Sequence, residues 1–471
     1  MTTDRPATAG PATGRTTIAE GLAGWGLSVT LDSLPPDAVA AALRHLLDGC
    51  GTAVAALRAG AAEPALAVAR GLGGPPEARI PGTATRLGAP AAALAGGVLV
   101  HALDFDDTHA GGLVHATAPV LPVVLAVGEQ LRVTGAEAVA AAAVGLETVC
   151  RLGAAAPHAF HARGLHATAA CGVIAAALTA ARLHRLTHAQ TVDALGIAAS
   201  QAGGLLEFLH TGASTKQLHT GFAAHHGILA ARLAAAGASG PASAIEGPSG
   251  FYAALTGRAV EPGAVLDGLG ERFELTRITV KPYPACQLLH APLDAAATLR
   301  LTAAEIAAEI GAEIGAEIAA VVVDVHPDAV AIVCGPDQAA PRTGYQAKFA
   351  LAWCVAAMLL DGAVTVDTFT AVDRPDVLAL AALVRHRVAA AEGPAADQPG
   401  RLTVTLRDGR TVTAQVPRSG GGPGAPGLDA TVRAKALANL GPGGPAVLAA
   451  VDALPAATDL DDLLDALGAT G

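Results

Sequence analysis

The chain has 471 residues, of which 52% are hydrophobic, 15% charged and 3% aromatic, and its formal net charge is −11. That apolar fraction excludes disorder along the whole length, and the length is a prior for two or three domains with ample core. The acidic balance, the absence of a basic tract and the scarcity of aromatic rings exclude a broad nucleic-acid surface.

Mean hydropathy is +0.45, which alanine explains. Uncharged stretches such as Gly164 to Ala181 carry His166 and Thr168, and they suit close-packed helices better than a lipid-facing span. No membrane association is expected. Cys50, Cys150, Cys171, Cys286, Cys334 and Cys354 are far apart with no CxxC pair, which reads as reduced thiols in a cytoplasmic protein. Of the 30 basic residues only Lys216, Lys281, Lys348 and Lys435 are lysines.

In chain order, residues 1–15 form a polar Pro/Gly/Thr tail with no apolar signal-peptide core, expected to be disordered. Residues 16–273 read as an all-α domain. Apolar segments alternate with Gly, Pro and Asp breaks, as in Pro36 to Leu57, Gly135 to Leu152 and Thr187 to Gln201. Residues 274–417 change character and read as a smaller α+β lid. FELTRITVKPYP and AAVVVDVHP read as strands, and GRLTVTLRDGRTVTAQVP as a hairpin turning at Asp408–Gly409. Helices are expected over Ala291 to Leu299 and Gln346 to Leu360. Inside the lid, AEIAAEIGAEIGAEIAA spaces Ile306, Ile310, Ile314 and Ile318 four apart, which predicts a surface helix or loop. A Gly/Pro linker then leads, within 418–471, to helices that return to the first domain. The fold class is therefore mainly α.

HExxH, GxSxG, P-loop and credible dinucleotide signatures are absent. Chemistry-bearing residues instead gather in four polar islands. The first, HALDFDDTHAGGLVHATAP, holds Asp104, Asp106, Asp107, Thr108, His109 and His115. No ligand pair there has a clean helical spacing and a third member, so no metal is expected. The second, HAFHARGLHATAACG, puts His166 near the start of a long helix, where burial and the helix dipole favour a neutral ring competent as a base. The third, GASTKQLHTGFAAHHG, carries Lys216 and His219. The fourth, KPYPACQLLH, carries Lys281, Cys286 and two prolines around Tyr283.

These islands, with LLDGCGTAVAAL, EGPSGF and QAKFALAWCVAAMLLDG, resemble the MmgE/PrpD family over roughly residues 16–460. That family includes 2-methylcitrate dehydratase, cis-aconitate decarboxylase and iminodisuccinate epimerase. The resemblance implies a large helical domain plus a lid, a homodimer, a site between the two domains, and catalysis without metal or organic cofactor. By position it implies that Asp104, His115, His166, Lys216 and Lys281 are catalytic, with Thr108, His109, His219 and Cys286 beside the substrate. Cys286 stands where decarboxylase members carry a histidine, and the Asp104-to-His115 spacing is one residue longer, so decarboxylation is disfavoured.

The implied substrates are small di- or tricarboxylates, and the implied step is proton transfer at a carbon next to a carboxylate. An imidazole would take the proton, and lysines would hold the enediolate. Dehydration is the leading expectation. Epimerisation, decarboxylation and a non-catalytic acid-binding scaffold are the alternatives. Each lysine falls inside a motif. Lys216 and Lys281 are expected to contact substrate, and Lys348 and Lys435 to hold structure or the lid interface.

Overall fold

The computed structural model describes residues 16–299, 318–335, 340–390 and 392–470. The expected tail and the AEI repeat up to residue 317 lie outside the described residues.

The architecture is mainly α. Its longest helices, among the described residues, are α1 (Ile18–Ser28), α2 (Pro36–Arg58), α3 (Ala89–His101), α4 (Thr117–Leu131), α5 (Gly135–Ala154), α6 (Ala167–Leu183), α7 (His188–Ala199), α8 (Thr215–Ala235), α9 (Leu351–Asp361) and α10 (Leu428–Leu440). Their starts follow local chemistry. Thr17, Thr134 and Thr187 each cap a helix whose third residue, Glu20, Glu137 or Gln190, bonds back to the cap, which satisfies backbone donors at both positions. Pro36 occupies the first position of α2, where a missing N–H costs nothing. Gly362, at φ 77°, ends α9 in the left-handed region, which a glycine enters without steric cost.

Alanine and glycine let these helices approach closely. α8 packs against α3, α6 and α7. At its crossing with α3, a Cβ on Gly97 would lie 2.7 Å from the Gly221 Cα. Two buried apolar clusters result. One joins residues from Ile18 to Val280 with Val432, Ala436, Leu440 and further residues through Leu467. The other runs from Ala285 to Ala414. The last helices thus rejoin the first cluster, with α10 lying along α2.

The second cluster rests on a four-stranded sheet. β3 (Ile318–Val325) pairs in parallel with β4 (Val384–Val388) and antiparallel with β5 (Gly400–Leu406), which pairs antiparallel with β6 (Thr411–Val416). The order is β4-β3-β5-β6. β5, β6 and their turn form the hairpin expected from the sequence. Three expectations need correction. FELTRITV is a 3-10 turn over Glu274–Arg277 followed by only two strand residues, Ile278–Thr279. Ile318 opens β3 rather than continuing a helical stripe. The helix expected from Gln346 splits into a short turn, Gly344–Ala347, and α9, because Lys348 and Phe349 leave the helix to reach buried partners.

Another short pairing positions the site. β1 (Thr108–His109) pairs antiparallel with β2 (Ile278–Thr279). It ties the first polar island to the segment that ends in Lys281.

Gly97→Ala would push a methyl into the backbone of α8, where no side chain can rotate away. A loss of about 1–3 kcal/mol is expected for such overpacking. The check is the shift of the denaturant midpoint at unchanged slope; an unmoved midpoint would refute the close crossing.

Candidate active site

The first island leaves α3 as a loop, and its three aspartates take three different partners. Asp104 has φ 53°, a left-handed conformation that a non-glycine residue holds only when its surroundings enforce it. Its Oδ1 accepts from Lys216 Nζ at 2.6 Å and from Lys281 Nζ at 3.1 Å, and its carbonyl accepts from Lys281 at 2.9 Å. Burial would raise the Asp104 carboxyl, but the two ammonium groups outweigh it and hold the group well below the usual range. The converse holds for Lys216. Burial disfavours its charge, and Asp104 more than restores it, so its pKa rises.

Asp106 is fully buried and lies 2.7 Å from His101 Nδ1. Burial raises its carboxyl, yet His101 and His115 bring it far below the usual range. Asp107 turns the other way. It accepts from the Thr117 N–H at 3.1 Å and from the Thr117 hydroxyl, and lies 2.9 Å from His45 Nδ1, anchoring the start of α4.

His115 Nδ1 is 2.7 Å from the Asp107 carbonyl oxygen and 3.3 Å from Thr108 Oγ1. A carbonyl only accepts, so Nδ1 carries the hydrogen. Burial, with smaller contributions from Lys281 and Lys216, brings the ring to a pKa of about 3 against an opposing pull from Asp106. At neutral pH it is uncharged, with its lone pair on Nε2. The side chain is 12% exposed, enough for a ligand to reach it.

His166 occupies the N-cap position of α6, near the helix start as the sequence implied, without a side-chain capping bond. Burial, then His101 and Lys216, hold its pKa well below the ordinary value. Its Nδ1 is 3.1 Å from His219 Nδ1, and burial lowers His219 to about 4. His101, His115 and His166 form a contiguous group, with ring centroids 4.8, 5.6 and 5.9 Å apart pairwise. One ring nitrogen of each lies within 4.8 Å of the others, so these three side chains could hold a metal ion.

The structure thus brings together Asp104, Thr108, His115, His166, Lys216, His219 and Lys281. Cys286 joins them electrostatically. Burial and then the Asp104 charge push its thiol up, so it stays protonated. His109 does not join. Its Nδ1 accepts from the Gly112 N–H at 3.1 Å and its Nε2 faces Glu274 at 3.1 Å, so both ring nitrogens are already occupied.

Sequence reasoning missed two residues, His101 and Tyr345. His101 opens the island HALDFDD at the end of α3, yet only its stacking on His166 and its edge-on contact with His115 mark it. Tyr345 keeps a buried hydroxyl without a hydrogen-bond partner and interacts with Lys216. Lys348 donates to the carbonyls of Leu103 at 2.8 Å and Pro284 at 2.7 Å, lies 4.4 Å from the centre of the Phe369 ring, and is lowered to about 7 by burial. Lys348 was expected from its motif to hold structure or the lid interface, and bonds to two backbone carbonyls are of that kind.

The MmgE/PrpD N-terminal domain model matches residues 20–262, and the MmgE/PrpD C-terminal domain model matches residues 283–454. The chain is 28% identical over 419 residues to a cis-aconitate decarboxylase of Aspergillus terreus, covering 83% of each protein. It is 29% identical over 353 residues to a cis-aconitate decarboxylase of Homo sapiens, covering 72% of this chain and 69% of that one. A cis-aconitate decarboxylase-like protein of Aspergillus oryzae is 27% identical over 348 residues, with 69% and 70% covered.

Two outcomes are expected. Asp104→Ala leaves two buried ammonium groups without their shared carboxylate, which costs about 3–5 kcal/mol and is measured by denaturant unfolding. The histidines set the acid limit. Their folded pKa values, about 3 for His115 and about 4 for His219, lie below the unfolded value of about 6.5. The unfolded chain therefore binds more protons on acidification. Their contribution is full above about pH 6.5 and is lost as pH falls toward 3–4. Thermal midpoints measured across that window should fall steadily. A flat profile would contradict the buried neutral rings.

Proposed function

The chain belongs to the MmgE/PrpD family, and from that premise we propose that it is a cofactor-independent lyase of the 2-methylcitrate dehydratase type acting on a small hydroxy-polycarboxylate. The observation that carries this reading is the tautomer of His115. Its Nδ1–H is spent on the Asp107 carbonyl, so an uncharged Nε2 is left beside a pair of buried ammonium groups.

In the proposed step Nε2 takes the proton from the carbon next to a carboxylate. The C–H electron pair becomes the new C=C π bond. The neighbouring C–O bond breaks, and the hydroxyl leaves as water after gaining one proton. Lys216 and Lys281 hold the carboxylate and the negative charge that develops on it as the enediolate forms. Preorganised cations in a water-poor site are worth most at such a point. Asp104 favours the charged form of Lys216 and aims both ammonium groups together. His166, with His219 against its Nδ1, supplies a second proton-transfer ring. Thr108 and Cys286 border the substrate.

A base with a pKa of about 3 is weak, and the substrate corrects this. Two or three carboxylates placed beside His115 favour its charged form and raise its pKa toward neutrality. The acidic limb of kcat should therefore lie at a higher pH than that of kcat/KM, once the substrate's own ionisation is allowed for. The reverse order would argue against His115 as the base.

A second reading is decarboxylation of a cis-aconitate-like acid, favoured because two of the relatives are named cis-aconitate decarboxylases. There the C–C bond to a carboxylate breaks and the electron pair is protonated at carbon. Incubation with citrate, 2-methylcitrate and cis-aconitate in deuterated water separates the readings. Alkene formation from a hydroxy acid supports elimination, and released carbon dioxide supports decarboxylation. Deuterium exchange with neither product supports an epimerase. No exchange with any C4 to C7 acid would sink all three. His166→Ala and Lys281→Ala are each expected to lower turnover by about 100-fold or more while circular dichroism stays native. Near-normal rates in either would remove that residue from the site.

A further inference from the structure

The histidine group has a feature that proton transfer alone does not require. His101 is 2% exposed, and its Nε2 is buried with no hydrogen-bond partner. Its other nitrogen, Nδ1, is fixed by the Asp106 carboxylate at 2.7 Å. His115 is fixed in the same way, with Nδ1 on a backbone carbonyl at 2.7 Å. His166 has Nδ1 against His219 at 3.1 Å. In His101 and His115 an acceptor sits behind Nδ1 and Nε2 is left over, and His166 offers Nε2 in the tautomer whose Nδ1 donates to His219. A carboxylate or carbonyl behind Nδ1 is the support that orients imidazoles for a metal and raises their basicity as ligands.

We propose that His101, His115 and His166 form a binding site for a divalent transition-metal ion of the zinc or cobalt class, and that its occupation inhibits the enzyme. Three imidazoles with one coordination position left open match the ligand set such ions take. The separation of up to 4.8 Å between ligand nitrogens exceeds the roughly 3.3 Å of a tetrahedral site with bonds of about 2.0–2.1 Å. The rings must close by up to about 1.5 Å, so binding is reversible rather than structural. Asp104 and Asp106 offset the charge that Lys216 and Lys281 bring near. The bound ion would take the Nε2 lone pair that His115 uses as base. This inhibitory half rests on the function proposed above; the binding half does not.

The full-length protein, stripped with a chelator, is titrated with Co2+ and followed by visible absorption and calorimetry. One equivalent should bind with the intense d–d bands of a four- or five-coordinate ion, and Zn2+ should displace it. His101→Gln and His166→Gln should each weaken Co2+ about tenfold or more, and Asp106→Asn, which removes the support behind His101, about tenfold. His226→Gln, in the adjacent His225–His226 pair on α8, should change nothing. Circular dichroism tests folding, and His166→Gln gives the same reading if His101→Gln does not fold. Absence of Co2+ binding, octahedral bands, or binding lost only in His226→Gln overturns the site. If acids are turned over, Zn2+ should inhibit and chelator should restore the rate; unaffected turnover at saturating Zn2+ overturns the inhibitory half. If no acid is turned over but Co2+ binds as described, the functional reading fails and this site stands.

Discussion

Four ammonium groups, the entire lysine complement of the chain, converge on three consecutive residues. Lys348 donates to the Leu103 carbonyl, Lys216 and Lys281 to Asp104, and Lys435 to the Phe105 carbonyl at 2.7 Å. They come from α8, from the segment after β2, from the turn before α9 and from α10, so the loop is fixed only when all four regions are in place. Burying four cations is expensive unless each is paired and hydrogen-bonded. Asp104 serves two of them. Lys435 pairs with Asp48 at 2.7 Å and lies 4.0 Å from the centre of the Phe105 ring. Lys348 has carbonyls and an aromatic face but no carboxylate, and it is the one brought down to about 7.

The rest of the site inherits its position from that clasp. With residues 103–105 held, the chain delivers Asp106 to His101 and Asp107 to the start of α4, and His115 returns to the Asp107 carbonyl. Three carboxylates in four residues would repel one another if left to solvent. Here each is given its own cationic or donor partner, and His115 and His166 stay uncharged because burial lowers both rings, at His115 against the pull of Asp106. Opposite charges and neutral bases are thus sorted within one small volume, which is what chemistry at a carbon next to a carboxylate needs.

Much of this was legible in the sequence. Helix limits near Pro36, Gly135 and Thr187 followed from the Gly, Pro and Asp breaks between apolar segments. The hairpin followed from alternation around Asp408–Gly409. The five residues assigned to chemistry sat in polar islands that a bland background made conspicuous. Other features were hidden for physical reasons. The segment before Lys281 has β-branched composition, but only the two rungs opposite Thr108 and His109 are available for it to pair with. β4, VRHRV, carries three charged or polar residues in five and is a strand only as the parallel neighbour of β3. His101 looks like one more residue at the end of an apolar helix until the fold stacks it on His166 and sets it edge-on to His115. Partner choice at His109 is equally non-local, because Glu274 lies 165 positions away.

All four lysines are less than 9% exposed, so the folded protein offers amine-directed chemistry no lysine at its surface. Acylating reagents, cross-linkers aimed at primary amines and lysine-specific proteases would find their lysine targets only after the clasp has opened. The fixed side-chain cations that the protein shows to solvent are guanidinium groups. Lysine accessibility and the integrity of the loop at residues 103–105 are therefore one and the same variable, and a simple labelling assay on this chain reads out both.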